Sequence, residues 1–211
     1  MTHSERFDRA IARFDALNAE DPSRELLEGG DCPKALLYAE RLSAMLARIA
    51  PDSSEALRLA ARCQHLQRWK IPRANYPMTQ AGYFEWRARL RDFHVDLAST
   101  ILADAGYDDA AIARVNALTR KEALKTDADA QALEDAVALV FLESELADFV
   151  ARHPDYDEAK LAGILTKTAK KMSAQGREAA LTTIALPAAL APLVRSAMRA
   201  VRAPRPPRRA E

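Results

Sequence analysis

Residues 128–150 read ADAQALEDAVALVFLESELADFV, and the run AVALVFL at 136–142 is apolar on every side of a helix. A helix that is hydrophobic all round is buried, whereas a surface helix keeps one polar face. We therefore predict that this segment forms the central buried helix of an all-α, single-domain helical bundle.

The composition of the remaining chain also favours helices. The 211 residues include only 6 Gly, and β-branched residues are sparse beside the helix formers Ala, Leu, Arg and Glu. We find no strand pair, and we expect residues 19–33, which hold two prolines and a Gly-Gly pair, to be mostly loop. Apolar residues recur at helical spacing elsewhere, which predicts helices at about 4–18, between Pro33 and Pro51, at 53–69, 79–105 and 108–120, and after Pro154.

Local signals mark several helix ends. Asp52 and Glu55 have the spacing of a capping box, Thr79 is suited to cap the next helix, and Gly106 is suited to end it. The organisation that we expect is an N-terminal helix within 1–20, a helical domain at 34–200, and a disordered Pro- and Arg-rich tail at 203–211.

The charge balance excludes several classes of partner. Lys and Arg number 31 against 30 acidic residues, so a net charge of +1 gives no strong nucleic-acid signal. No window approaches the roughly 20 apolar residues of a membrane helix, and the start MTHSERFDRA lacks the apolar core of a signal peptide. We expect a cytoplasmic protein without a membrane partner, and the sequence does not indicate its oligomeric state.

A few polar residues lie on apolar helix faces. His94 projects from the stripe of Leu90 and Leu97, and His65 lies one helical step from Ala61 and Trp69. Glu134 and Asp135 stand at the head of the buried helix, where unpaired charges are costly.

Those carboxylates need a cation, and two explanations for these buried polar residues remain open. Imidazoles and carboxylates on separate helices can build a divalent metal site. Alternatively, His65 and His94 are hydrogen-bonded core residues, while Glu134 and Asp135 cap helices and pair with Arg or Lys.

Three segments, LAARCQHLQRW, FHVDLASTILADAGY and LEDAVALVFL, resemble the HD superfamily of metal-dependent phosphohydrolases. The resemblance covers roughly residues 34–150 and implies an HD-like helical domain. It implies His65, His94 and Asp135 as metal ligands, with Gln64 in the place of the first residue of the family's His-Asp pair. The family's first His has no exact match, and either Tyr38 or Glu40 stands near its position.

Nearly all of 34–181 is more similar still to the domain of unknown function family 4202. The segments that carry this likeness are LLYAERLSAML, CQHLQRWKIPRANYP, GYFEWRARLRDFH, DADAQALEDAVALVFLE and KTAKKMS. That resemblance identifies related proteins without implying a reaction.

These observations lead to two hypotheses. In the first, the chain is a metal-dependent phosphohydrolase, in which a divalent ion (Mn, Fe, Ni, Zn or Mg) polarises a phosphoryl oxygen of a nucleotide or other small phosphorylated molecule. Glu40, Glu134 and Lys121 would be catalytic, and the substrate would be bound by Arg68, Trp69, Lys70, Arg73 and Lys125. In the second, the chain is a non-catalytic binding or scaffold module with a degenerate metal site.

Overall fold

The computed structural model describes residues 3–27 and 29–201, and this part of the chain contains ten α-helices. The prediction of an all-α fold is confirmed. The chain divides into two compact units, with the boundary between Leu133 and Glu134. The helices are α1 (His3–Asn18), α2 (Lys34–Ile49), α3 (Glu55–Cys63), α4 (Gln80–Ala105), α5 (Asp109–Arg120), α6 (Ala128–Val140), α7 (Leu146–Ala151), α8 (Glu158–Lys171), α9 (Ala174–Thr182) and α10 (Ala191–Ala200).

The first unit is built around the first five helices. Helix α1 packs against α2, α3 and α4, while α5 packs against α3 and α4. Their inward faces supply large side chains that are fully buried, and each such chain contributes about 1.5–3 kcal/mol relative to an exposed position. Examples are Phe14, Leu42, Leu57, Leu102 and Leu118.

A short β-hairpin precedes α2, so the prediction that residues 19–33 lack paired strands is wrong. Strands β1 (Arg24–Leu27) and β2 (Gly30–Pro33) are antiparallel. Gly30 has φ +120°, a conformation that side-chain-bearing residues rarely adopt. Buried Asp21 accepts hydrogen bonds from the backbone N–H groups of Ser23 and Ala35, both at 2.9 Å, and so joins the hairpin to the first turn of α2.

Helix α3 is shorter than predicted. It begins after Ser54, whose hydroxyl accepts from the backbone N–H of Leu57, so the expected capping box at Asp52 is wrong. The helix ends at Cys63 instead of about residue 69 because Gln67 takes a left-handed conformation (φ 48°). The side chain of Asn18, at the end of α1, accepts from the Gln67 backbone N–H and stabilises that bend.

Other predicted helix ends are confirmed. Thr79 caps α4 by accepting from the backbone N–H of Gly82, and Gly106 ends that helix at φ +92°. The Asp108 side chain caps α5 through the backbone N–H of Ala111.

The predicted central helix is interrupted near its middle. Five of the seven residues of the run at 136–142 are buried, as predicted. A π-helical turn at Phe141–Glu145 separates α6 from α7. In the second unit, α10 packs against α8 and α9.

Two further expectations concern the membrane and the tail. Within residues 3–27 and 29–201, no helix combines the length and the hydropathy that crossing a bilayer requires. The predicted tail at 203–211 lies outside the described residues.

Candidate functional site

Two histidines of the first unit lie side by side. His65 stands in the turn that follows α3, and His94 lies within α4. Their ring centroids are 5.9 Å apart, and the Tyr38 ring stacks on His65 at 4.5 Å. The structure therefore brings together two of the three predicted metal ligands.

These histidines open onto a pocket that is rich in arginine, which we name the His–Arg pocket. Arg87 and Arg91 precede His94 by seven and three residues, so all three share one face of α4. The pocket is lined by Gln64, His65, Arg68, Arg87, Leu90, Arg91, His94 and Thr119. These described lining residues include three guanidinium groups and no carboxylate, so the pocket favours an anion.

The enclosed part of the His–Arg pocket is small. Its volume is about 20 Å³. A cavity needs about 10–15 Å³ of this kind to hold one water. The pocket interior accordingly admits one water-sized group, and any larger ligand has to lie at its mouth.

His94 has unused hydrogen-bonding capacity. The residue is only 3% exposed, and neither Nδ1 nor Nε2 has a hydrogen-bond partner within the described residues. The Oε1 atom of Gln64, which also lines the pocket, is likewise buried without a hydrogen-bond partner among the described residues. Leaving a buried donor or acceptor unpaired costs about 1–3 kcal/mol, and such groups are uncommon in native proteins. A ligand atom inside the pocket would supply the missing partner.

Both imidazoles are neutral at pH 7. Burial, assisted by the charges of Arg68 and Arg87, lowers the pKa of His94 to about 3. The same causes, together with His94 and Lys121, lower the pKa of His65 well below its ordinary value. Nη1 of Arg68 donates to Nε2 of His65 at 3.4 Å, which places the single proton of that ring on Nδ1.

Trp86 organises the arginines beside the pocket. Its ring is buried, and its Nε1–H donates to the carbonyl of Ile71 at 2.9 Å. The guanidinium carbons of Arg68 and Arg73 lie 4.8 Å and 6.0 Å from the ring centroid. Cation–π attraction therefore holds Arg68 in place next to His65.

The third predicted ligand, Asp135, belongs to the second unit. Its carboxylate accepts from the backbone N–H of Ser173 at 2.8 Å and from the Ser173 hydroxyl at 2.5 Å. The same hydroxyl accepts from the backbone N–H of Gly176 and caps α9. Asp135 thus supplies negative charge at a helix N-terminus, where it is stabilising. Glu134, its neighbour, is buried in the same unit.

The residues present do not complete a metal-ligand set. In residues 3–27 and 29–201, no group of three or more His, Cys, Asp or Glu side chains could hold a metal ion. Catalytic zinc sites use three protein ligands, and the His–Arg pocket offers two imidazoles. The metal-ligand assignment stays a prediction.

The other predicted site residues have varied surroundings. Glu40 is exposed, with its Oε1 3.9 Å from Nη2 of Arg62. Lys121 follows the last residue of α5 in a left-handed conformation, and its positive charge contributes to the lowered pKa of His65.

Four predicted substrate-binding residues lie outside the lining of the His–Arg pocket. Lys70 is exposed, 3.9 Å from a carboxylate oxygen of Glu20, and Arg73 donates to the backbone carbonyls of residues 76 and 77. Trp69 is half-buried beside Lys70, and Lys125 is exposed.

Arg87 and Arg91 are pocket residues that the sequence reasoning did not select. The signal was present, since both occur at helical spacing from His94 on a helix whose ends were predicted correctly. The basic residues that were selected instead follow His65 in the chain, and only Arg68 among them lines the pocket.

The chain was compared with known proteins. No curated protein and no solved structure matches it, and the resemblance to the HD superfamily stays a prediction. One family model matches residues 8–194, which is most of the chain. The chain belongs to the family described as Domain of unknown function (DUF4202).

Proposed function

We propose that the His–Arg pocket binds the phosphoryl group of a small phosphorylated molecule. The observation that carries this proposal is His94, a buried neutral imidazole with two unpartnered nitrogens, framed by three guanidinium groups. A phosphoryl oxygen is a strong acceptor, so it can accept from the one N–H of the neutral His94 ring, and its negative charge is attracted by the guanidinium groups.

The charges of the pocket decide between ligand classes. A cation would be repelled by the guanidiniums of Arg68, Arg87 and Arg91, and the described lining of the pocket contains no carboxylate. An anion gains from all three, because the planar guanidinium fork of an arginine can donate to two phosphate oxygens at once. Because only one water-sized group fits inside, one phosphoryl oxygen would enter to meet His94 while the remaining oxygens meet Arg87 and Arg91 at the mouth.

Removing Arg87 or Arg91 should weaken anion binding. Isothermal titration calorimetry with inorganic pyrophosphate is the measurement. A hydrogen bond to a charged group contributes about 1.5–3 kcal/mol, so each of Arg87→Ala and Arg91→Ala should raise Kd by about ten-fold or more. Raising the salt concentration should weaken binding to the wild-type protein as well.

The matched control is Arg89→Ala, which removes an exposed arginine of the same helix that lies outside the pocket lining. This variant should bind pyrophosphate within about two-fold of wild type, because a solvent-exposed charge outside the pocket contributes little to binding. Equal losses in all three variants, or no saturable binding to wild type, would contradict the proposal.

A second candidate is the metal-dependent phosphoester hydrolase, with Mn, Fe, Ni, Zn or Mg as cofactor. One observation favours it: neutral imidazole is a common metal ligand, and the unpartnered nitrogens of His94 lie beside the His65 ring. A hydrolase would need a further ligand beyond these two imidazoles.

Elemental analysis of the purified protein tests this candidate. If it holds, wild type should retain close to one equivalent of a divalent metal, and His94→Ala should lose most of it. His153→Ala is the control, because His153 lies in the second unit and Phe149 O is 2.7 Å from its Nδ1. Metal content that is negligible in wild type, or unchanged in His94→Ala, would eliminate the candidate.

A further inference from the structure

A second cavity lies in the first unit among α1, α2 and α3. Its volume is about 390 Å³, within the range of about 300–1,000 Å³ that is typical of small-molecule sites. It is lined by Phe7, Ile11, Ser43, Leu46, Ala47, Pro51, Ser53, Arg58 and Arg62. None of these residues belongs to the His–Arg pocket.

The lining of this cavity combines apolar side chains with positive charge. Five of its described lining residues are apolar, and the only charged ones are Arg58 and Arg62. An apolar wall with positive charge beside it complements a molecule that has an apolar body and an anionic end.

The two arginines differ in whether a carboxylate pairs with them. Arg62 donates from Nε and Nη2 to the two carboxylate oxygens of Asp15, at 2.6 Å and 2.7 Å, and this ion pair offsets its charge. Arg58 is exposed, and its guanidinium carbon lies 4.8 Å from the centroid of the Phe7 ring. The described residues provide no carboxylate partner for Arg58.

We propose that this cavity binds a small amphipathic carboxylate, an unbranched apolar chain that ends in a carboxyl group. The carboxylate accepts hydrogen bonds from the fork of Arg58, which the Phe7 ring positions at the rim. The chain covers the apolar wall that Ile11 and Leu46 help to form. A small molecule is favoured over a protein partner because the apolar surface is concave and one accessible guanidinium accompanies it.

Decanoate is the probe for the test, with binding to the full chain measured by isothermal titration calorimetry below its critical micelle concentration. Wild type should bind decanoate saturably, and decanol and decylamine at least ten-fold more weakly. Arg58→Ala should weaken decanoate binding at least five-fold. Ala47→Trp, which fills the cavity from α2, should abolish it.

Arg13→Ala is the matched control, because Arg13 is an exposed arginine of α1 outside the cavity lining. It should bind decanoate as wild type does, and circular dichroism should show that all variants keep their helices. Three results would each overturn the proposal: no saturable binding to wild type, decylamine binding as tightly as decanoate, or unchanged decanoate affinity in folded Arg58→Ala and Ala47→Trp. Because the two sites share no lining residue, the result of this test is independent of whether the His–Arg pocket binds a phosphoryl group.

Discussion

Replacing Gly176 with Ala should lower the free energy of unfolding by about 3 kcal/mol, near the upper end of the usual cost of overpacking. A Cβ atom at this position would lie 2.4 Å from Cγ of Asp135 and 2.5 Å and 2.7 Å from its two oxygens. That carboxylate is held by two hydrogen bonds from Ser173 and cannot withdraw without losing them. Urea denaturation followed by circular dichroism measures the change.

Gly163→Ala is the matched control for this substitution. Gly163 also lies in a helix, but a Cβ there would meet nothing within 4 Å. Because Ala is the better helix former, this variant should gain about 0.5–1 kcal/mol. A Gly176→Ala protein as stable as wild type would show that the carboxylate does not pack against α9.

A double-mutant cycle separates the clash from other effects of Gly176→Ala. In an Asp135→Ala background the obstructing carboxylate is gone, so the same substitution should cost about 1 kcal/mol or less. Equal costs in the two backgrounds would mean that the loss at Gly176 has another origin.

Acidification should destabilise the protein below pH 6.5. The pKa of His94 is about 3 in the folded protein, against 6.5 as its ordinary value. Between these values the unfolded chain binds the extra proton, so the contribution of His94 to stability is complete above pH 6.5 and lost as the pH falls toward 3. At pH 5 this loss is about 2 kcal/mol, from 1.36 kcal/mol per pH unit. His65 acts in the same direction.

Urea titrations at pH 7.5, 6.5, 5.5 and 5.0 give the slope of stability against pH. His94→Gln should show a shallower slope than wild type, because one of the two buried imidazoles is missing. If the His94→Gln and wild-type slopes coincide, His94 does not titrate as its buried position requires.

Local chemistry made much of the fold predictable. The apolar run at 136–142 identified buried residues correctly because burial follows from hydrophobicity on all faces of a helix. Thr79 and Gly106 marked the ends of α4 because capping depends on neighbours within a few residues. The apolar stripe around Leu90 and Leu97 correctly placed His94 in the interior.

Long-range contacts account for what was missed. Helix α3 ends early through a hydrogen bond from the Gln67 backbone N–H to Asn18, 49 residues away, which no local pattern indicates. Ser173, which donates two hydrogen bonds to Asp135, lies 38 residues later in the chain. The expectation that Glu134 and Asp135 pair with a cation stays a prediction, and the N-terminus of α9 supplies a partial positive charge at Asp135.

The His–Arg pocket shows the same division between local and distant information. His94, Arg87 and Arg91 share one face of a helix, so their association could be inferred from spacing alone. The approach of His65, from the turn after α3, depends on how α3, α4 and α5 pack, which the sequence pattern does not specify.

Side-chain ¹H–¹⁵N NMR of the histidines during a pyrophosphate titration tests the central claim most directly. The sequence holds four histidines: His3, His65, His94 and His153. The ring resonances of His94 and His65 should shift and saturate with the Kd found by calorimetry, while those of His153 stay in place. Unchanged His94 resonances at saturating pyrophosphate would contradict a phosphoryl group bound in the His–Arg pocket.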